Sequence, residues 1–120
     1  MRFMLLFFAD EDEWMALADD EREAAVRRIG AWVEQQAQAG RIVEGSRLGG
    51  MRTATTVRLG RAGRSGKPLV TDGPFIETKE AIGSYCVVAV PDRAAAIALA
   101  EGWPGGGAVE IRPIVDMEGG

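Results

Sequence analysis

Three carboxylates fall within eleven residues in the run Val70-Thr71-Asp72-Gly73-Pro74-Phe75-Ile76-Glu77-Thr78-Lys79-Glu80. Asp72 and Glu77 are close enough in sequence to share one small site. They could serve there as an acid–base couple or hold a hard cation such as Mg²⁺, although no spacing template for a metal is present. Arg58, on a segment just upstream, adds a fork-shaped donor suited to a carboxylate or phosphate. Plainer roles compete with each of these. Asp before Gly-Pro makes turns, because its side chain can bond the backbone and Gly tolerates positive φ. Glu77 and Glu80 can be ordinary solvated carboxylates, with Lys79 between them relieving part of their repulsion.

Histidine is absent and Cys86 is the single cysteine. Ser-His-Asp and Cys-His nucleophile activation are therefore excluded, as is a zinc site with imidazole ligands. Acid–base work would fall to Asp, Glu, Tyr or Lys. Cys86 lies mid-strand without cationic sequence neighbours and reads as inert and buried. The glycines at 60, 63 and 66 lack the strand-to-helix context and Lys-Ser/Thr ending of a phosphate-binding loop, so no nucleotide cofactor is expected.

Charge is segregated along the chain. Asp10 to Glu23 carries eight acidic residues, whereas Gly45 to Thr71 has none and carries Arg47, Arg52, Arg58, Arg61, Arg64 and Lys67. That asymmetry suits either an anion site for a small metabolite or a basic hairpin that pairs with the acidic segment. A net charge of -4 and a pI near 4.9 argue against a general nucleic-acid binder, which needs a basic face. No run approaches the roughly 18 apolar residues of a membrane span. The opening apolar stretch is short and meets Asp10-Glu11-Asp12-Glu13 at once, unlike a secretory leader. With one cysteine, the expectation is a cytoplasmic protein. Its 120 residues, 47% hydrophobic, suit one domain spanning 1–120.

Elements to position these groups can be read in order. Arg2 to Ala9 is apolar on both alternating sets, which predicts a strand buried on both faces. An acidic loop carrying Trp14 follows. Asp20 with Glu23 predicts a capping box, and Val26, Ile29, Val33 and Ala37, with Trp32 alongside, predict a helix core face ending at Gly40. Ile42–Leu48 and Thr53–Leu59 read as strands. Gly60 to Gly66 reads as a hairpin tip returning through Leu69-Val70. Ile82 to Val90 predicts a strand with Ile82, Ser84, Cys86, Val88 and Val90 on one side and Tyr85, Val87 and Ala89 on the other. Asp92 predicts the cap of an Ala-rich helix that Gly102 and Pro104 end, and Val109 to Val115 a last strand. The sum is an α+β, ferredoxin-like β-α-β-β-(hairpin)-β-α-β plan.

Two helices cover only one face of a four-stranded sheet, yet the first strand is greasy on both. The expected cover is a second copy, sheet facing sheet, giving a homodimer. A hairpin folded back as a flap is the alternative. Trp14 and Tyr85 are then either core or seam aromatics, or part of a ligand platform beside Arg58.

The run from VTDGPFIETKE through AIGSYCVVAV, with RFMLLFFADEDEW, ATTVRL and the closing VEIRPI, resembles the DGPF, or YCII-related, family of small bacterial proteins. The resemblance implies a dimeric α/β barrel and an uncharacterised function. It also implies a possible sigma-factor association, since some members occur beside or fused to such factors. A branch of the family carries a proposed His-Asp pair that this histidine-free chain lacks, and the late position corresponding to its Asp-Pro reads Trp103-Pro104 here. Two readings stand. One is a small-molecule enzyme or binding protein using Asp72 and Glu77, with Arg58, Tyr85 and Trp14 around a small anionic ligand at the dimer seam. The other is a non-catalytic accessory module.

Overall fold

The computed structural model describes residues 1–60 and 66–116. Their elements run β1 (Arg2–Asp10), α1 (Glu11–Ala16), α2 (Asp19–Gln38), β2 (Ile42–Arg47), a 3-10 turn (Met51–Thr53), β3 (Thr55–Arg58), β4 (Leu69–Asp72), β5 (Glu80–Ala89), α3 (Arg93–Glu101) and β6 (Ala108–Pro113). Strands β2-β5-β1-β6 form one antiparallel sheet, the ferredoxin-like order, and β3-β4 form a separate two-stranded ribbon. Most of the expected Gly60-to-Gly66 tip lies outside the described residues.

Alternation along β1 divides the molecule into two layers. Phe3, Leu5 and Phe7 point toward the helices, where Trp32, Ala96 and Leu99 meet Cys86, Val88 and Val90 in one buried cluster. Phe3, Leu5 and Val88 are fully buried, each contributing roughly 1.5–3 kcal/mol from removal of apolar surface from water. The rings of Phe7, Trp32 and Trp103 close one end, with Phe7 and Trp103 centroids 4.0 Å apart and Trp32 edge-on to both. Met4, Leu6 and Phe8 alternate to the opposite, outer layer, in register with Val87, Tyr85 and Ile82 of β5.

Four expectations are corrected. The acidic segment after β1 is a helix, because the Asp10 carboxylate accepts from the N–H groups of Asp12 and Glu13 and so caps it. The cap of α2 is Ala18 rather than Asp20: the Glu21 carboxylate reaches back to the Ala18 N–H at 2.9 Å, the reciprocal half of a capping box. The inward stripe of α2 is Ala25, Ile29 and Trp32, while Val26 and Val33 are exposed. The bulky Trp32 ring decides this rotation, since burying it against Phe7 displaces the valines sideways. Finally, Phe7 pairs with Ser84 but Phe8 with Ile82, so a bulge at Gly83 turns Ile82 onto the outer layer, away from Ser84 and Cys86. The expected caps at Gly40, with φ +77°, and at Asp92, which accepts from the Ala95 N–H, are present.

Candidate functional site

Where α1 turns into α2, an open groove of about 550 Å³ lies against the end of β2, walled by Trp14, Asp19, Arg22, Glu23, Val26, Arg27 and Arg47. Its corner is built by Arg22. That guanidinium donates to the carbonyl oxygens of Met15 at 3.1 Å and Leu17 at 2.6 Å and pairs with Asp19, all within two turns of chain. Carbonyls left open where α1 ends and the chain bends thereby acquire a donor, and the bend is held. Trp14 sits on the last turn of α1, anchored by the Asp10 cap below it. Arg47, the final residue of β2, lies with its guanidinium 5.8 Å from the centre of the Trp14 ring, within cation–π range.

The charge of the groove follows from these pairings. Arg22 and Asp19 neutralise one another, leaving Arg27 and Arg47 against Glu23. No carboxylate of the described residues lies within ion-pair distance of Arg27 or Arg47. The groove thus presents two guanidinium groups, a tryptophan face and the apolar edge of Val26. Such a set recognises a small anion with an apolar or planar body: guanidinium forks take the anionic oxygens and the indole takes the remainder.

The expected site residues divide among three places. Trp14 lines the groove. Tyr85 lies on the outer layer of the sheet, opposite Leu6 on one side and Ser46 on the other. Arg58, Asp72 and Glu77 belong to the β3-β4 ribbon and the loop after it. There the Arg58 guanidinium stacks 4.8 Å from the Phe75 ring centre. Asp72 is exposed, opposite Thr55, and its side chain takes no part in the turn hydrogen bonds. The turn is held by the Gly73 N–H donating to Ala54 and by the Thr56 hydroxyl donating to the Gly73 carbonyl at 2.7 Å. Gly73 has φ +101°, a conformation that a side chain would strain. Glu77 is exposed. Among the described residues no group of three carboxylate or thiol side chains gathers as a metal-ligand set.

Cys86 is buried opposite Leu5 and Gly45. Burial pushes its thiol from 9.0 up to about 11. A thiol so raised is a poor nucleophile at neutral pH.

Sequence reasoning placed Arg27 on a wet helix face and counted Arg47 only as part of a basic run. A signal for both existed: Asp19, Arg22, Glu23, Val26 and Arg27 recur at three- and four-residue spacing along one stripe of α2 beside its buried face. The proximity of Arg47 to Trp14, across 33 positions of chain, had no local signal.

An antiparallel sheet with helices on one face and this groove at its corner define a ferredoxin-like α+β protein with an open, arginine-lined concavity. The YCII-related domain model matches residues 1–118, and the chain belongs to the YCII-related family. It is similar to an uncharacterised protein of Rhizobium meliloti (strain 1021), 30% identical over 118 residues, covering 95% of this chain and 92% of that protein. No helix among the described residues is long and apolar enough to cross a membrane.

Proposed function

We propose that this YCII-related protein acts as a homodimer that binds a small anionic molecule, as a binding protein or enzyme, with the ligand in the groove of Trp14, Arg27 and Arg47. The carrying observation is the pair of guanidinium groups without carboxylate partners beside an indole face. Arg58 on the ribbon, stacked on Phe75, is a second anion donor and keeps the ribbon's carboxylates Asp72 and Glu77 within this reading. The homodimer rests on the outer layer. Met4, Leu6, Phe8 and Tyr85 are half-buried there and Ile82 exposed, although Val87 beside them is buried, and a second copy is the simplest cover for the part left open.

Thermal-shift titration with benzoate, malonate and inorganic phosphate tests the ligand class on wild type, Arg47→Gln and Arg58→Gln. A saturable rise in melting temperature with at least one of these anions, lost in Arg47→Gln and retained in Arg58→Gln, supports the groove. A rise lost in Arg58→Gln alone moves the site to the ribbon. No rise with any of the three anions defeats the reading. An accessory role beside a sigma factor is the alternative, and a groove indifferent to all three anions would favour it.

A further inference from the structure

The ribbon of β3 and β4 is the least self-sufficient part of the molecule. Opposed pairs place Val57 and Val70 on one of its faces and Arg58 and Leu69 on the other, with Phe75 under Arg58. Val57, Leu69, Val70, Phe75 and Ile76 are all more than half exposed. An isolated two-stranded ribbon is marginal in water, and one that exposes apolar side chains on both faces is stabilised by a surface to lie on. Among the described residues its strands pair only with each other and with no strand of the main sheet.

The dimensions agree. A compact chain of this mass exposes about 6,300 Å², against the 8819 Å² found. Its expected radius of gyration is about 13.6 Å, against 16.9 Å. The surplus of roughly 2,500 Å² per chain doubles to roughly 5,000 Å² in a pair, the scale of an obligate homodimer interface.

We infer that the ribbon is an exchanged arm: each copy's β3-β4 ribbon seats against the outer sheet layer of a second copy of this chain. The same molecule carries both complementary halves, an exposed ribbon and an outer layer on which Met4, Leu6, Phe8 and Tyr85 stay half-buried and Ile82 exposed. A two-fold axis satisfies both halves twice, as an isologous interface requires. A foreign partner seated on the ribbon would leave the open part of that layer in water. Exchange also brings Arg58 and Phe75 of one copy to Tyr85 of the other, so residues that stand apart in a single chain meet across two. This inference rests on the homodimer reading and specifies which segment makes the interface.

Sedimentation velocity at micromolar concentration, with circular dichroism as the folding check, tests it on wild type, Val57→Lys, Val70→Lys and Ile97→Lys. Ile97 is an exposed apolar residue on α3, on the helix side of the sheet, and serves as control. Expected are dimeric wild type and Ile97→Lys, and folded variants of Val57 and Val70 whose dissociation constants rise at least a hundredfold. Ribbon variants that associate as tightly as wild type overturn the arm while leaving the homodimer standing. A monomeric wild type overturns both.

The seat is read by replacing Phe75→p-benzoylphenylalanine and irradiating a mixture with ¹⁵N-labelled chains. Light–heavy crosslinks to outer-layer residues of β1 or β5 are expected. Crosslinks confined to one chain, or joining ribbon to ribbon, overturn the inference.

Discussion

The Glu11 carboxylate accepts the backbone N–H of Met51 at 2.8 Å, joining residues forty positions apart. One end of this bond is in the first turn of α1; the other opens the 3-10 turn from which the β3-β4 ribbon departs. The acidic helix is therefore a bracket for the base of the ribbon. Among the described residues it is also the one place where the acidic segment and the start of the basic segment meet through a hydrogen bond.

Removing the acceptor is expected to loosen that base. Glu11→Ala should cost about 1.5–3 kcal/mol, the range for a hydrogen bond to a charged group, and raise amide exchange at Met51 to Ala54. Glu11→Gln keeps a carbonyl oxygen and should recover part of the loss. Unchanged exchange in Glu11→Ala would show that the bracket is idle.

Two glycines should respond in opposite directions to the same substitution. A Cβ on Gly45 would stand 2.8 Å from the Tyr85 carbonyl oxygen and 2.9 Å from the Cys86 Cβ, so strand or neighbour must move. Gly45→Ala is expected to destabilise by about 1–3 kcal/mol. Gly30 is within α2 with open space around its Cα, and Gly30→Ala should add up to about 1 kcal/mol through helix propensity. Chemical denaturation of both variants checks the pair, and equal signs would refute it.

Cys86 sets a limit at high pH. Its folded thiol is raised to about 11 while the unfolded thiol titrates near 9.0. Below pH 9 both states hold the proton and stability is unaffected. Between pH 9 and 11 the unfolded state releases it first, so stability should fall, by about 2 kcal/mol at the upper end. Cys86→Ala should flatten this slope, at the expense of some packing. In the native protein the thiol should resist an aromatic disulfide reagent at pH 8 and react on unfolding.

Asp10 and Glu80 face one another directly across β1 and β5. Asp10 is committed to capping α1, so relief must come from its neighbour. Glu80→Lys should raise stability by a few tenths of a kcal/mol to about 1 kcal/mol, as expected for replacing a like-charged cross-strand pair, and the gain should shrink in 1 M salt. A loss of melting temperature at low salt would count against it.

Single-sequence pattern was sufficient for what depends on short-range geometry. Alternation in β1 announced a strand apolar on both faces, Gly40 and Asp92 marked helix ends, and the strand–helix order led to the ferredoxin-like sheet. The Asp10 cap was present in the sequence but obscured, because Asp10-Glu11-Asp12-Glu13 looks like solvated charge rather than a first helical turn. Long-range packing decided the rest. Burial of Trp32 against Phe7 chose which stripe of α2 turned inward, and the extra residue at Gly83 moved Ile82 to the other layer. Only the folded chain set Arg47 over Trp14, and it put Arg58 and Asp72 on a ribbon separate from the sheet that carries Tyr85. Spacing along a chain limits which side chains of one element share a face; which faces then meet is settled by the shape and volume of the whole core.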